Sequence, residues 1–301
     1  MATFGILVGG GPAPGIHGVI GAATLQARRH GARVLGFFEG FRSLMEEGGP
    51  PPRELDAEAV AAIHLQGGSV LRTSRANPTR EPAALRRVVD ALRQHGVDHL
   101  ITIGGDDTAF SARRVAEQAG GSLRVAHVPK TIDNDLPLPP GVPTFGFETA
   151  REQATRIVAH LLEDARTASR WYLVIMMGRK AGHLAIGAGK AAGATLTLIP
   201  EDFPPGPIPL VRVARILEGA IVKRLAQGHP DGVAVIAEGI GERLDPKDLD
   251  ALDAAPRDEH GHIRLAEVPI GQVLKDAVRH GLGELGVKTT LVAKDVGYEL
   301  R

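Results

Sequence analysis

The chain has 301 residues, 43% of them hydrophobic, with 35 basic and 35 acidic side chains; that size suits one large or two moderate domains, and the balanced charge supplies no bulk field to draw it to nucleic acid or an anionic membrane. Cysteine is absent, which excludes disulfides and thiolate metal sites. No run approaches the roughly 20 apolar residues of a membrane span, and the opening MATFGILVGGG lacks the basic region and long apolar stretch of a signal peptide, so a cytoplasmic location is expected by elimination.

Short apolar or β-branched runs alternate with helical patterns along the chain. TFGILV (3–8), ARVLGFF (32–38), DHLITI (98–103), LRVAHV (123–128), WYLVIMM (171–177) and GVAVIAE (232–238) read as strands. Helical periodicity marks 82–96, 108–120 and 148–167. Strand, crossover helix and strand in repetition predict an α/β protein with largely parallel sheets covered on both faces. Ligands in such sheets bind beyond the carboxyl ends of the strands. Four of the runs end there in glycine or charged loops: VGGGPAPG, IGGDDT, VPKTIDND and MMGRKAGH. The prolines of LPLPPGVPTFGF place a boundary near 136–147, and IPEDFPPGPIP (199–209) reads as a loop.

GILVGGGPAPG (5–15) is a strand, a glycine loop and an apparent helix. Glycine lets backbone N–H groups turn toward a phosphate, and the helix N-terminus adds partial positive charge. The loop is neither the dinucleotide fingerprint nor the P-loop, since it lacks GKS or GKT and its third glycine is misplaced. IGGDDT (103–108) repeats the design but adds two carboxylates. They would repel a bare phosphate without an intervening cation, which suits Asp106 as a Mg²⁺ ligand; an ordinary helix N-cap explains one acid but not both. In PKTIDND, Asp133 can take a proton from a substrate hydroxyl and Lys130 can neutralise a transferring phosphoryl group, whereas an Asx-rich turn accounts for Asn134 and Asp135 only. GGSVLRTSR (67–75) and MMGRK (176–180) add arginines beside glycines, planar donors suited to phosphate oxygens. His17, His64 and His183 lie near these loops without metal-ligand spacing and read as local hydrogen-bonding residues. Together the loops describe a phosphoryl transferase, in which positioning and charge neutralisation do most of the work.

GGGPAPG (9–15), GGDDT (104–108), PKTIDND (129–135), TFGFETA (144–150), MGRKAGHLA (177–185), PED (200–202) and AEG (237–239) occur in the order found in phosphofructokinases, and the chain closely resembles that family. The resemblance implies two α/β domains, 1–143 for the phosphoryl donor and Mg²⁺ and 144–301 for fructose 6-phosphate, with the active site in the interdomain cleft. It implies Asp133 as the base for the sugar's 1-hydroxyl, Thr131 as a sugar contact, Asp106 as the Mg²⁺ ligand and Gly10 as a backbone contact to the donor. Met177, Gly178 and Arg179 would line the sugar site, Glu238 would take sugar hydroxyls, and Arg75 would face the transferring phosphate. Tyr298 and Arg301 would hold the 6-phosphate. Arg170 matches a position that reaches a neighbouring subunit's sugar phosphate, which implies a homodimer or homotetramer. The chain ends at KDVGYELR (294–301), so the family's C-terminal return to the first domain is expected to be absent. His17 stands where the family usually has asparagine.

The donor follows from two further positions. Members that use ATP typically read GGDG where this chain reads GGDD, so Asp107 sets a carboxylate where the α-phosphate of a nucleotide should lie. Pyrophosphate-using relatives pair that aspartate with a lysine before TIDND, here Lys130. The resemblance therefore implies a reversible pyrophosphate-dependent fructose 6-phosphate 1-phosphotransferase of glycolysis. The alternatives are an ATP-dependent 6-phosphofructokinase, a kinase for a related sugar phosphate such as sedoheptulose 7-phosphate, or a catalytically silent regulatory subunit. A NAD-kinase-like or diacylglycerol-kinase-like enzyme shares GGDG but not PKTIDND or MGRKAG.

Overall fold

The computed structural model describes residues 1–250 and 269–301. They form two compact units: Met1–Ile132 with Leu136–Glu148 and Arg301, and Asp133–Asp135 with Thr149–Leu300.

In the first unit the chain runs β1 (Thr3–Val8), α1 (Ile16–Arg29), β2 (Arg33–Gly36), the short α2 (Arg42–Met45), β3 (Arg53–Glu54), α3 (Ala57–Val60), α4 (Pro82–Gln94), β4 (His99–Gly104), α5 (Asp106–Ala119) and β5 (Arg124–Pro129). The sheet order is β3-β2-β1-β4-β5. All its pairs are parallel except β2 with β3, a small antiparallel edge that the sequence pattern did not reveal. The pleat sends successive side chains to opposite faces. Ile6 and Val8 accordingly pack with Ile16 and Ile20 of α1, while Leu7 packs with Leu85, Val88 and Val115 of α4 and α5.

The second unit holds most of α6 (Phe147–Ala168), then β6 (Arg170–Met176), α7 (His183–Ala192), β7 (Leu196–Leu198), α8 (Leu210–Ala226), β8 (Gly232–Ala237), α9 (Gly239–Glu242), α10 (Pro246–Asp250), α11 (Ile270–Glu284) and β9 (Thr290–Val296). Its sheet is parallel throughout, in the order β7-β8-β6-β9. Strand β8, GVAVIA, is buried at every residue, which is why it reads as a continuous apolar run. Its first residue has to be small: a Cβ on Gly232 would come within 2.6 Å of the Trp171 ring. Among the described residues no helix is long and apolar enough to cross a membrane.

Register sets where the loops emerge. Val8 pairs with Ile103, and Ile103 with Val128, so the loops after β1, β4 and β5 leave the first sheet at one edge. In the second sheet Met176 pairs with both Ala237 and Val296, so the loops after β6, β8 and β9 also share an edge. The loops after β1, β4, β5 and β6 are the four glycine and charged loops of the sequence, at the carboxyl ends of their strands.

Candidate functional site

In the first unit the glycine loop is held by its neighbours rather than by its own residues. Gly10 adopts φ +80, a backbone conformation open to glycine. A Cβ there would lie 3.7 Å from Lys130 Nζ and 4.0 Å from the Gly105 nitrogen. Lys130 is 3% exposed; its backbone N–H donates to Gly104 O at 2.8 Å, and its ammonium donates to Gly11 O. Burying a cation requires partners for its protons, and the turn at Gly10–Gly11 supplies one of them. A Cβ on Gly11 would stand 3.7 Å from the Arg301 guanidinium carbon, so the residue expected at the sugar phosphate stands beside the glycine loop, in the first unit. Arg75 is exposed and follows Ser74, whose carbonyl accepts the Gly10 N–H at 2.9 Å.

Helix α5 starts immediately after β4. Gly105 is its N-cap, and Asp106 and Asp107 occupy its first turn, where carboxylates complement the helix dipole. The N-cap reading of either aspartate is thus replaced by a glycine cap followed by two exposed acids. Buried Thr108 packs against Gly9 and Gly104, and a Cβ on either glycine would collide with its side chain. Gly104→Ala is therefore expected to destabilise the protein by about 1–3 kcal/mol through overpacking, with Thr108→Ala in the same chain recovering part of the loss. Urea unfolding of the single and double variants checks this. Phe145 of the TFGF landmark covers Gly15 (φ +86), leaving no room for a side chain there, and Thr144 Oγ1 donates to Thr131 O at 2.7 Å.

In the second unit Asp133 is 8% exposed, and its Oδ2 lies 4.0 Å from Arg179 Nε. Arg179 and Asn134 both adopt left-handed φ, +49 and +54. His183 Nδ1 donates to Asn134 O at 2.7 Å, so the hydrogen-bonding role read from the sequence holds, but its partner is 49 residues away rather than local. Glu238, directly after β8, accepts the Gly178 N–H at 3.1 Å and the Arg179 N–H at 3.4 Å through one oxygen. It thereby fixes the backbone of the MGR loop. Glu201 of the PED landmark accepts the Gly182 N–H at 2.9 Å, tying the far end of the same loop. Met177 fills the space over Gly297, where a Cβ would come within 2.7 Å of its methyl carbon.

Met177, Glu238 and the 80%-exposed Tyr298 line a cavity of about 380 Å³. Glu242, Lys294, Asp295 and Glu299 line it too, and sequence reasoning did not single them out. Lys294 Nζ lies 3.9 Å from Glu299 Oε1. The Glu299 carboxyl is held below its ordinary range by its own backbone N–H, and further by the Gly297 N–H and Lys294, against the opposing effect of burial. For Lys294, Asp295 and Glu299 the only sequence signal was the charge density of KDVGYELR. Arg170 opens β6 and pairs with Asp164 at 3.6 Å, at the strand end opposite the MGR loop.

Among the described residues no three His, Asp or Glu side chains gather as a metal site. A Mg²⁺ ion here would need phosphate oxygens to complete its shell, which suits an ion usually bound by one or two carboxylates plus substrate. An exposed Asp106 carboxylate one residue beyond Gly105 fits that arrangement.

The phosphofructokinase family pattern matches residues 3–293. The chain is 52% identical over 300 residues to pyrophosphate–fructose 6-phosphate 1-phosphotransferase of Thermotoga maritima, covering 99% of this chain and 71% of that protein. It is 48% identical over 310 residues to the protein of the same name from Naegleria fowleri, with 100% and 71% covered. The structure of phosphofructokinase from Saccharomyces cerevisiae superposes with a TM-score of 0.78 at 23% identity; it covers all of this chain, which spans 38% of that one. Pattern, fold and an alignment that covers nearly every residue agree with the order of the loops just described, and the chain belongs to the phosphofructokinase family.

Proposed function

We propose that this chain transfers a phosphoryl group from pyrophosphate to the 1-hydroxyl of fructose 6-phosphate, reversibly, giving fructose 1,6-bisphosphate and phosphate. The observation that carries the donor half is the buried Lys130 ammonium at the Gly10–Gly11 turn, with the Gly105 nitrogen beside it. A fixed cation with a backbone nitrogen in the same cradle favours a compact, highly charged phosphate over a neutral ligand.

Asp133 accepts the proton of the 1-hydroxyl as that oxygen attacks the terminal phosphorus; the bridging P–O bond breaks and phosphate leaves. Lys130 neutralises charge on the transferring group, Gly10, whose own N–H is donated to Ser74 O, lets the donor approach the turn closely for want of a side chain, and Arg75 grips phosphate oxygens. Lys130 and Asp133 are three residues apart, so their Cα atoms lie within about 11 Å through the chain alone. Arg179, Thr131, Met177, Gly178 and Glu238 hold the sugar, and Tyr298 receives its 6-phosphate. Asp106 would hold a Mg²⁺ ion, which would supply positive charge to the phosphate oxygens. The seven-residue β6 separates Arg170 from Met176 by about 20 Å at 3.3 Å per residue. A role for Arg170 at a sugar phosphate therefore falls to a second copy, in a cytoplasmic homodimer or homotetramer.

Formation of fructose 1,6-bisphosphate from fructose 6-phosphate and Mg²⁺, with pyrophosphate and ATP compared side by side, tests this reading. Turnover with pyrophosphate and not ATP is expected. Turnover with ATP alone overturns the donor assignment, and binding of fructose 6-phosphate by isothermal titration without turnover from either donor favours a silent subunit.

A further inference from the structure

His17 is the second residue of α1, two positions beyond the glycine loop, and is 4% exposed. Its ring bridges two backbone groups far away in sequence: Nδ1 lies 2.9 Å from Gln66 O, and Nε2 lies 2.8 Å from the Val70 nitrogen. Chemistry fixes the protonation. A carbonyl only accepts, so Nδ1 carries the hydrogen; an amide N–H only donates, so Nε2 carries the lone pair. The imidazole is therefore the neutral Nδ1–H tautomer, and neither the other tautomer nor the imidazolium can make both bonds.

The segment it grips runs directly to the donor loop. Leu71 O accepts the Glu39 N–H at 2.9 Å, Thr73 Oγ1 donates to Gly10 O at 2.6 Å, and Ser74 O accepts the Gly10 N–H at 2.9 Å. Residues 66–74 are thus pinned at one end to α1 and at the other to Gly10, and Arg75 is the next residue.

We propose that His17 is a positioning residue for the phosphoryl donor: its neutral imidazole clasps Gln66 and Val70 to α1 and so sets the register in which Arg75 is presented beside Gly10. The proposal rests on the reading that the Gly9–Gly15 loop holds pyrophosphate. The clasp needs both ring nitrogens, because an asparagine amide reaches only the Nδ1 position of the ring and can serve one of the two partners at a time.

Two near-isosteric variants separate the ends of the clasp. His17→Asn keeps a donor for Gln66 O and loses the acceptor for Val70; His17→Gln reaches the Nε2 position and keeps the acceptor for Val70. Each is expected to raise the KM for pyrophosphate about three- to tenfold, the factor that one lost backbone hydrogen bond represents, leaving the KM for fructose 6-phosphate within about twofold. His17→Leu, which removes both bonds, is expected to speed amide hydrogen exchange across 66–75 by more than about tenfold, more than in the rest of the first unit. Imidazole ¹⁵N shifts of the wild type are expected to report the Nδ1–H neutral form. An Nε2–H or charged ring overturns the proposal. So does a rise in both KM values together, or exchange at 66–75 that does not respond. A wild type inactive with pyrophosphate, but with 66–75 loosened in His17→Leu, distinguishes the two layers: the donor reading and the positioning role then fall, and the clasp remains as a structural feature.

Discussion

Asp133→Asn is expected to lower kcat by about 10²–10⁴-fold, the usual contribution of a positioned general base, while fructose 6-phosphate still binds. The change is nearly isosteric at a residue 8% exposed, so packing is preserved. What disappears is the ability to accept a proton, together with the negative charge facing Arg179 Nε at 4.0 Å. Asp135, two residues on and exposed, is the control: Asp135→Asn is expected to leave kcat within about threefold, as for surface positions outside a network. A coupled assay of fructose 1,6-bisphosphate formation and isothermal titration with fructose 6-phosphate give the two readouts. If Asp133→Asn retains kcat within tenfold, the base lies elsewhere; if binding is lost with turnover, the residue holds the sugar rather than its proton.

Much of the fold was legible because parallel strands buried on both faces must be apolar without a break. GVAVIA shows this most fully, and the observed bounds of TFGILV, DHLITI and GVAVIA differ from those read by a residue or less. Strand β9, TLVAKDV, escaped the same reasoning. It lies at the sheet's edge and exposes Thr290, Lys294 and Asp295, so it has no continuous apolar run. The two-residue β3 is exposed throughout and too short to show any period.

The site divides in the same way. Glycine and charged loops at strand ends announce themselves locally, so Lys130, Asp133 and Arg179 could be picked out one motif at a time. Contacts made across the fold could not be. His17 meets Gln66 and Val70, 49 and 53 residues away, and Glu201 meets Gly182 across 19. Some landmarks also turned out to have packing as part of their reason. Phe145 sits on Gly15, and Thr108 forbids a side chain at Gly9 and Gly104. A motif read as substrate chemistry is partly a record of what the glycine loop needs around it.

Asp107→Gly is expected to bring measurable turnover with ATP to a protein that otherwise uses pyrophosphate. Asp107 lies in the first turn of α5, next to Asp106, at the position where the resemblance to ATP-using members sets a nucleotide's α-phosphate. Two unit like charges about 4 Å apart at an effective dielectric near 20 repel by roughly 4 kcal/mol. Because Asp107 is exposed, screening by water and salt brings this to about 1–3 kcal/mol, or roughly ten- to hundredfold in ATP affinity. Asp107→Asn separates charge from bulk, since it removes the repulsion and keeps the volume. If charge decides, both variants gain ATP use; if room for the nucleotide decides, only glycine does. The glycine variant should also lose about 1–2 kcal/mol of stability, from a missing first-turn carboxylate and a poor helix former, so kcat/KM is best compared well below its unfolding temperature. Unchanged rejection of ATP by both would mean that selection lies with Lys130 and the closeness of the Gly10–Gly11 turn. In that case Lys130→Gly in the Asp107→Gly background is the variant expected to admit the nucleotide.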